Sequence, residues 1–284
     1  GIAVGHKSLG DTGCTVIVVP DSAIAAVDVR GGGPGTRETD LLAPHNTVQR
    51  VHAITLTGGS AYGLAAADGV MTRLEEDRIG FRVLDTDESP IVPIVPAAVI
   101  FDLLVGDPTH RPTRDDGYAA AHAALTGEPD TRSGSVGAGC GATAGRLRGG
   151  FGQASMQVGE WIMAAGIVAN PMGDVMSPDT GEFWADPRRK VAVDKLPAAT
   201  PKLNTTIGVI ATNAPITKAQ AKRLAMVAHD GIARAIHPAH SPLDGDTLFC
   251  LSTGDGTGVD LETMLSLSTH AAEITAAAIV DAVV

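Results

Sequence analysis

The sequence predicts an α+β fold, and three observations carry that prediction. Short apolar, β-branched runs recur between turn residues and arrange themselves as hairpins. Stretches with apolar residues at helical spacing fall between and after those runs. Strand and helix do not alternate regularly, so a doubly wound parallel sheet is not expected.

Taken in order, residues 14–19 and 23–29 read as two strands of a hairpin, with Pro20, Asp21 and Ser22 as its turn. The glycine loop 30–38 follows. It lacks the Gly-Lys-Ser/Thr ending of a P-loop, so a close backbone crossing or a wall of a small-molecule site is expected there instead of a phosphate cradle. Residues 54–59 lead through Gly58-Gly59 into Ser60-Ala61-Tyr62, and Leu64, Ala67, Met71 and Leu74 then mark a helix. That places Tyr62 in a first helical turn, where it either lines a pocket or sits half-buried with one hydrogen bond. Residues 90–100 are kept extended by prolines, and 118–125 form an alanine-rich helix. The glycines of 134–145 resemble a dinucleotide fingerprint, but residues 127–132 before them make no strand, and the reading is rejected.

Residues 151–158 and 161–169 form a second hairpin about Gly159-Glu160, ending at the Asn170-Pro171 turn. Residues 196–202, broken by Pro197 and Pro201, are a loose connector into a buried strand at 207–211. Thr217 and Gln220 make a capping box for a helix with Leu224, Val227, Ala228, Gly231 and Ala235 on one face. Residues 241–251 run from loop to strand. A long helix from about Asp260 closes the chain, and an exposed apolar face at 274–284 predicts a homo-oligomer.

With 44% hydrophobic residues in 284, the chain can bury a sizeable core. Aromatics are only 3%, so that core is built from Ala, Val, Ile and Leu. A net charge of −11 argues against nucleic-acid and anionic-membrane partners. Cys14, Cys140 and Cys250 form no CxxC, which suits a reducing compartment without disulfides or a zinc site. No apolar run reaches the ~20 residues of a spanning helix, and the first residues show no signal peptide, so a cytoplasmic location is expected. No cofactor and no metal are expected.

The chemistry concentrates where the connector meets the strand. Cleavage of Asn204-Thr205 gives Thr205 a free α-amine, which titrates near ~7.7–8.0 and can take the proton of its own hydroxyl. The plain alternative is an ordinary turn into an ordinary strand. Thr206, the rival hydroxyl, faces the other side of that strand. Asp244 and Asp246, two residues apart, are expected to point the same way and repel. They serve as metal ligands with His237 and His240, as a DxDxT phosphatase motif, as the charge that orients a catalytic amine, or as a simple turn.

Five ordered stretches, at 29–36, 58–64, 169–174, 204–207 and 240–249, resemble one family across essentially the whole chain. It is the self-processing N-terminal nucleophile hydrolases that include L-aminopeptidase/D-esterase, the β-aminopeptidases and the 6-aminohexanoate-oligomer (nylon-oligomer) hydrolase. The resemblance implies a four-layer αββα sandwich of the N-terminal nucleophile type. It implies one domain, 1–284, cut into a large subunit 1–204 and a small subunit 205–284 that stay together, and assembly of several such pairs. It makes Thr205 the nucleophile, supported by Asp244 and Asp246, with Tyr62 and Asn170 stabilising the oxyanion of a small amide or peptide substrate. Many of these peptidases carry serine with a Ser/Glu pair, so the threonine and two aspartates are more similar to the nylon-oligomer hydrolase. That enzyme has lysine where this chain has Arg146. Arginine keeps its proton, which turns any acid–base role there into a fixed charge.

Overall fold

The computed structural model describes residues 1–86, 88–198 and 203–283. The strands longer than two residues are β1 (Ala3–Ser8), β2 (Gly13–Val29), β3 (Arg50–Thr57), β4 (Ala97–Val99), β5 (Gly150–Val158), β6 (Trp161–Asn170), β7 (Thr205–Thr212) and β8 (Thr247–Ser252). They join one nine-stranded sheet in the order β5-β6-β7-β8-β2-β3-β4, continued by the two-residue strand Thr36–Arg37, while β1 pairs with β2. The helices are α1 (Ala66–Glu76), α2 (Arg114–Thr126), α3 (Lys218–Ala235) and α4 (Leu261–Ala282).

Side-chain alternation along β2 shows how the sheet folds over. Its odd-numbered Ile17, Val19, Ala23, Ala25 and Val27 enter one core. The even-numbered Cys14, Val16 and Val18 enter a second, and Ile24 and Ala26 a third. The first core lies between the two halves of the sheet, where Ile54 and Leu56 of β3 meet Ile207 and Val209 of β7 and Phe249 of β8. Helices α1 and α2 cover one outer face through Val70, Leu74, Ala120 and Ala121. Helices α3 and α4 cover the other through Leu224, Ile232, Leu267 and Ile279. This is the four-layer αββα sandwich.

The first expected hairpin is not formed. Both halves of β2 pair with β3, and the register shifts between Val18 and Ala23, so residues 20–22 make a bulge within one long strand. Ser22 takes a φ of 63° there, and Pro20, which has no N–H to give a ladder, lies exposed. Burial of both apolar halves against one shared neighbour outweighs the local turn signal. The second hairpin forms as expected, with Val158 opposite Trp161 and Gly159 at a φ of 61°. The Thr217/Gln220 box caps α3, and Asp260 caps α4. A second box, Thr113 with Asp116, starts α2 upstream of the expected residue 118.

The expected apolar face at 274–284 is not free. Ile274, Ala278, Ile279 and Ala282 are buried in the core between α4, α3 and the sheet, so the argument for a subunit contact there loses its premise. The large apolar residues that α4 leaves exposed are Leu261 (85%) and Leu265 (68%) in its first turns. Residue 284 and residues 199–202 of the connector lie outside the described residues. Among the described residues no helix is long and apolar enough to cross a membrane.

Candidate active site

Thr205 is the first residue of β7, flanked by antiparallel β6 and parallel β8. Its parity is that of Ile207 and Val209, so its side chain belongs to the space between the two halves of the sheet. Thr206 faces the helix side, and its hydroxyl is buried with no partner. The rival nucleophile is therefore on the wrong face. Asn170, the last residue of β6, pairs with Thr205 across the ladder.

The peptide ahead of Thr205 is held on every side. Asn204 Nδ2 donates to the carbonyls of Asn170 (2.9 Å) and Pro171 (3.1 Å), and Asn204 N–H donates to Leu243 O (3.2 Å). The Asn204 carbonyl oxygen accepts two donors, the Thr205 hydroxyl and the N–H of Gly245 (3.2 Å). The Gly245 N–H also lies 3.2 Å from Thr205 Oγ1. The Thr205 hydroxyl, the Asn204 carbonyl and the Gly245 N–H thus meet at one point. Gly245 has no sequence signal, because a backbone N–H leaves none.

The two aspartates flank that glycine and do not point together. Asp244 accepts from Met172 N–H (3.0 Å), Ser241 N–H (3.0 Å) and the Ser241 hydroxyl. Asp246 accepts from Thr206 N–H (2.7 Å) on one oxygen, and from His240 N–H (3.2 Å) and Nδ1 (2.7 Å) on the other. A loop with glycine at its centre, not an extended strand, sends each carboxylate to its own donors. Burial pushes the Asp244 carboxyl above the usual range. Its bonds from Ser241 oppose that shift and the nearby Asp246 adds to it. The Ser241-to-Asp244 spacing is a local side-chain-to-backbone pattern that the sequence does carry.

The glycine loop makes the close backbone crossing expected of it and also lines a cavity. Gly33 N–H donates to Asp244 O (2.8 Å) and Arg30 N–H to Asp246 O (2.9 Å). A Cβ on Gly31 would stand 2.2 Å from Asp244 O, so only glycine fits this crossing. Further along, Gly35 joins Ser60, Phe101, Leu243, Asn204 and Thr205 around a cavity of about 150 Å³. One wall of it is set by buried Asp102, which accepts from Gly59 N–H (2.7 Å) and Thr12 Oγ1 (2.7 Å). That bond fixes a turn in which Gly59 and Ser60 take φ of 80° and 53°. Burial raises the Asp102 carboxyl against those bonds.

Three other expected site residues lie as follows. Asn170 is buried. Its Oδ1 accepts from Thr143 N–H (2.8 Å), and Phe101 O (3.1 Å) takes one of its two amide hydrogens. Tyr62 is 61% exposed, its ring 3.7 Å beneath the Arg111 guanidinium, and its neighbours Ser60 and Ala61 line the cavity in its place. Arg146, in the turn above Pro171, pairs with Asp174 at 2.7 Å, which raises its already high pKa. His237 stacks on Trp184 (4.5 Å) away from the aspartates. Among the described residues no cluster of three or more His, Cys, Asp or Glu side chains is arranged to hold a metal ion.

The sequence matches peptidase family S58 over residues 1–284. The chain belongs to that family. It is 49% identical over 282 residues to an uncharacterized aminopeptidase of Mycobacterium tuberculosis, covering 89% of this chain and 80% of the relative. It is 33% identical over 288 residues to the 6-aminohexanoate-oligomer endohydrolase of Paenarthrobacter ureafaciens, covering 93% and 75%. An L-aminopeptidase D-Ala-esterase/amidase from Ochrobactrum anthropi, described as a variant of the Ntn hydrolase fold, superposes with a TM-score of 0.77 over 99% of this chain and 83% of that one, at 20% identity. The S58 protein therefore has the Ntn-hydrolase fold and is a hydrolase of peptide or amide bonds.

Proposed function

We propose that the chain cuts itself between Asn204 and Thr205 and then hydrolyses small amides or short peptides through the new N-terminal threonine. One observation carries this reading: the Thr205 hydroxyl bonds to the carbonyl oxygen of the residue before it, and Gly245 N–H bonds to the same oxygen. In the first step Thr205 Oγ adds to the Asn204 carbonyl carbon and the C–N bond breaks. The acyl group passes to oxygen and the α-amine is freed. Water then cleaves the ester, leaving the Asn204 carboxylate and Thr205 with both amine and hydroxyl. In turnover the neutral amine accepts the hydroxyl proton, Oγ attacks a substrate carbonyl, the leaving amine takes the proton, and water then cleaves the acyl ester to free the acid and restore the Thr205 hydroxyl. Gly245 N–H and the second amide hydrogen of Asn170 are the donors assigned to the oxyanion, and losing one such donor costs ~10²–10³ in turnover.

A second reading, an endo-acting 6-aminohexanoate-oligomer hydrolase, is favoured by the threonine with its two aspartates. The aminopeptidase reading has the support of the relative at 49% identity. A non-catalytic, uncleaved binding protein on the same scaffold is a different class of reading, and membership of a peptidase family speaks against it.

The pH profile separates catalysis from the uncleaved scaffold. Asp246 holds the amide next to the Thr205 nitrogen, so its negative charge favours the protonated amine and raises the pKa of that amine. Activity on an amino-acid p-nitroanilide should climb through the neutral-to-alkaline range as the amine loses its proton. Asp246→Asn should move that climb to lower pH, and EDTA should leave the rate unchanged. Loss of activity in EDTA with recovery in zinc contradicts the assignment of the aspartates.

A further inference from the structure

We infer that His240 is a positioning residue that sets Asp246, and through it the Thr206 amide, for the chemistry at Thr205; the inference rests on the reading of Thr205 given above. His240 grips Asp246 twice, through its backbone N–H (3.2 Å) and through Nδ1 (2.7 Å), both on one carboxylate oxygen. The other oxygen holds Thr206 N–H at 2.7 Å, so the imidazole reaches the strand that carries the nucleophile through a single carboxylate.

Two costs meet at this residue. His240 is a non-glycine residue at a φ of 54°, in the left-handed region. Its Nε2 is buried without a partner. The ring is turned to suit Asp246 and not to satisfy itself.

What lies behind the ring fits the same role. His229 of α3 packs against it, with centroids 5.0 Å apart at 65°. The carbonyl of Asp28 only accepts, so His229 Nε2 donates to it (3.0 Å), and burial pushes the His229 pKa down to about 4. The buttress is a neutral ring. The nearby cations Lys222 and Arg30 are both taken by the Asp28 carboxylate, at 2.5 and 2.8 Å. Of the cationic side chains named here, none competes with His240 for Asp246.

The test compares His240→Asn, His240→Gln and His240→Leu. Asparagine carries its amide nitrogen on Cγ, where histidine carries Nδ1, whereas glutamine places it one bond further on and leucine has no donor. Self-cleavage, followed by intact mass, and kcat of the processed enzyme should stay within about threefold of the parent in H240N. Both should fall about tenfold to a hundredfold in H240Q and H240L, with KM little changed. A second readout uses the uncleavable Thr205→Ala chain. Hydrogen exchange of the peptide containing Thr206 should quicken when H240L is added and not when H240N is added. Parental rates in H240L, or equal loss in H240N and H240L, would overturn the inference. A parent chain that never splits refutes the reading of Thr205, while the exchange comparison still decides whether His240 holds the Thr206 amide.

Discussion

At the residue scale the clamp on Asn204 makes a prediction of its own. Its amide reaches the carbonyls of Asn170 and Pro171, while its Oδ1 is buried with no partner. The side chain therefore spends a buried polar atom to fix the peptide that Thr205 is proposed to attack. Asn204→Ala should fold and still process, but about thirtyfold more slowly, at ~1 kcal/mol for each of the two net hydrogen bonds lost. A time course of intact mass checks this, and processing at the parental rate contradicts it. The residues legible in the sequence were those whose chemistry is their own: Thr205 for its hydroxyl, Asn204 for its place before the strand, Asp244 and Asp246 for their charges. Tyr62 and Arg146 show the limit. Their side chains are claimed by Arg111 and Asp174, distant in sequence, and a sequence gives a residue without the direction it points.

At the scale of elements the site is two loops pressed together, 30–35 against 241–246. Gly31→Ala would put a methyl 2.2 Å from Asp244 O and 2.4 Å from Asp246 N, both backbone atoms that cannot swing aside. It should cost ~1–3 kcal/mol and slow processing. Gly33→Ala is the control, because the nearest atoms there are 3.9 Å away and little change is expected. Calorimetric melting of both variants decides, and equal Tm values for the two would show that the crossing does not hold the loop. The same scale explains which elements could be read. Residues 150–170 pair residue for residue about Gly159, so the local turn signal and the register agree. Residues 14–29 carry an equally good turn signal at Pro20. There a third strand, β3, invisible to any local window, pairs with both sides and straightens the hairpin into one strand.

For the whole molecule, three buried histidines give stability a pH dependence. Burial pushes His6, His52 and His229 to about 4 from the ordinary 6.5. The unfolded chain takes up a proton at each as pH falls through 6.5, whereas the folded chain does not until about 4. Stability should therefore drop steadily between those values. Asp102 and Asp244, raised by burial, act in the opposite sense, since the fold takes up their protons more readily. Three histidines against two carboxylates leave a net fall in stability as pH drops below 6.5. A Tm that stays flat from pH 7 to 5 contradicts this. The four layers themselves were within reach of the sequence only through the resemblance of ordered motifs. Composition and periodicity supplied the strands and helices but not the fold-over of the sheet, which depends on one long strand feeding all three cores.

The central claim is a covalent one, and the intact mass of the purified protein under denaturing conditions tests it most directly. The account predicts two chains, 1–204 and 205–284, the second beginning at Thr205, that travel as one particle when native because β7 lies between β6 and β8. Thr205→Ala should remain a single chain. A single mass after prolonged incubation of the parent, or cleavage at the same bond in Thr205→Ala, would contradict it.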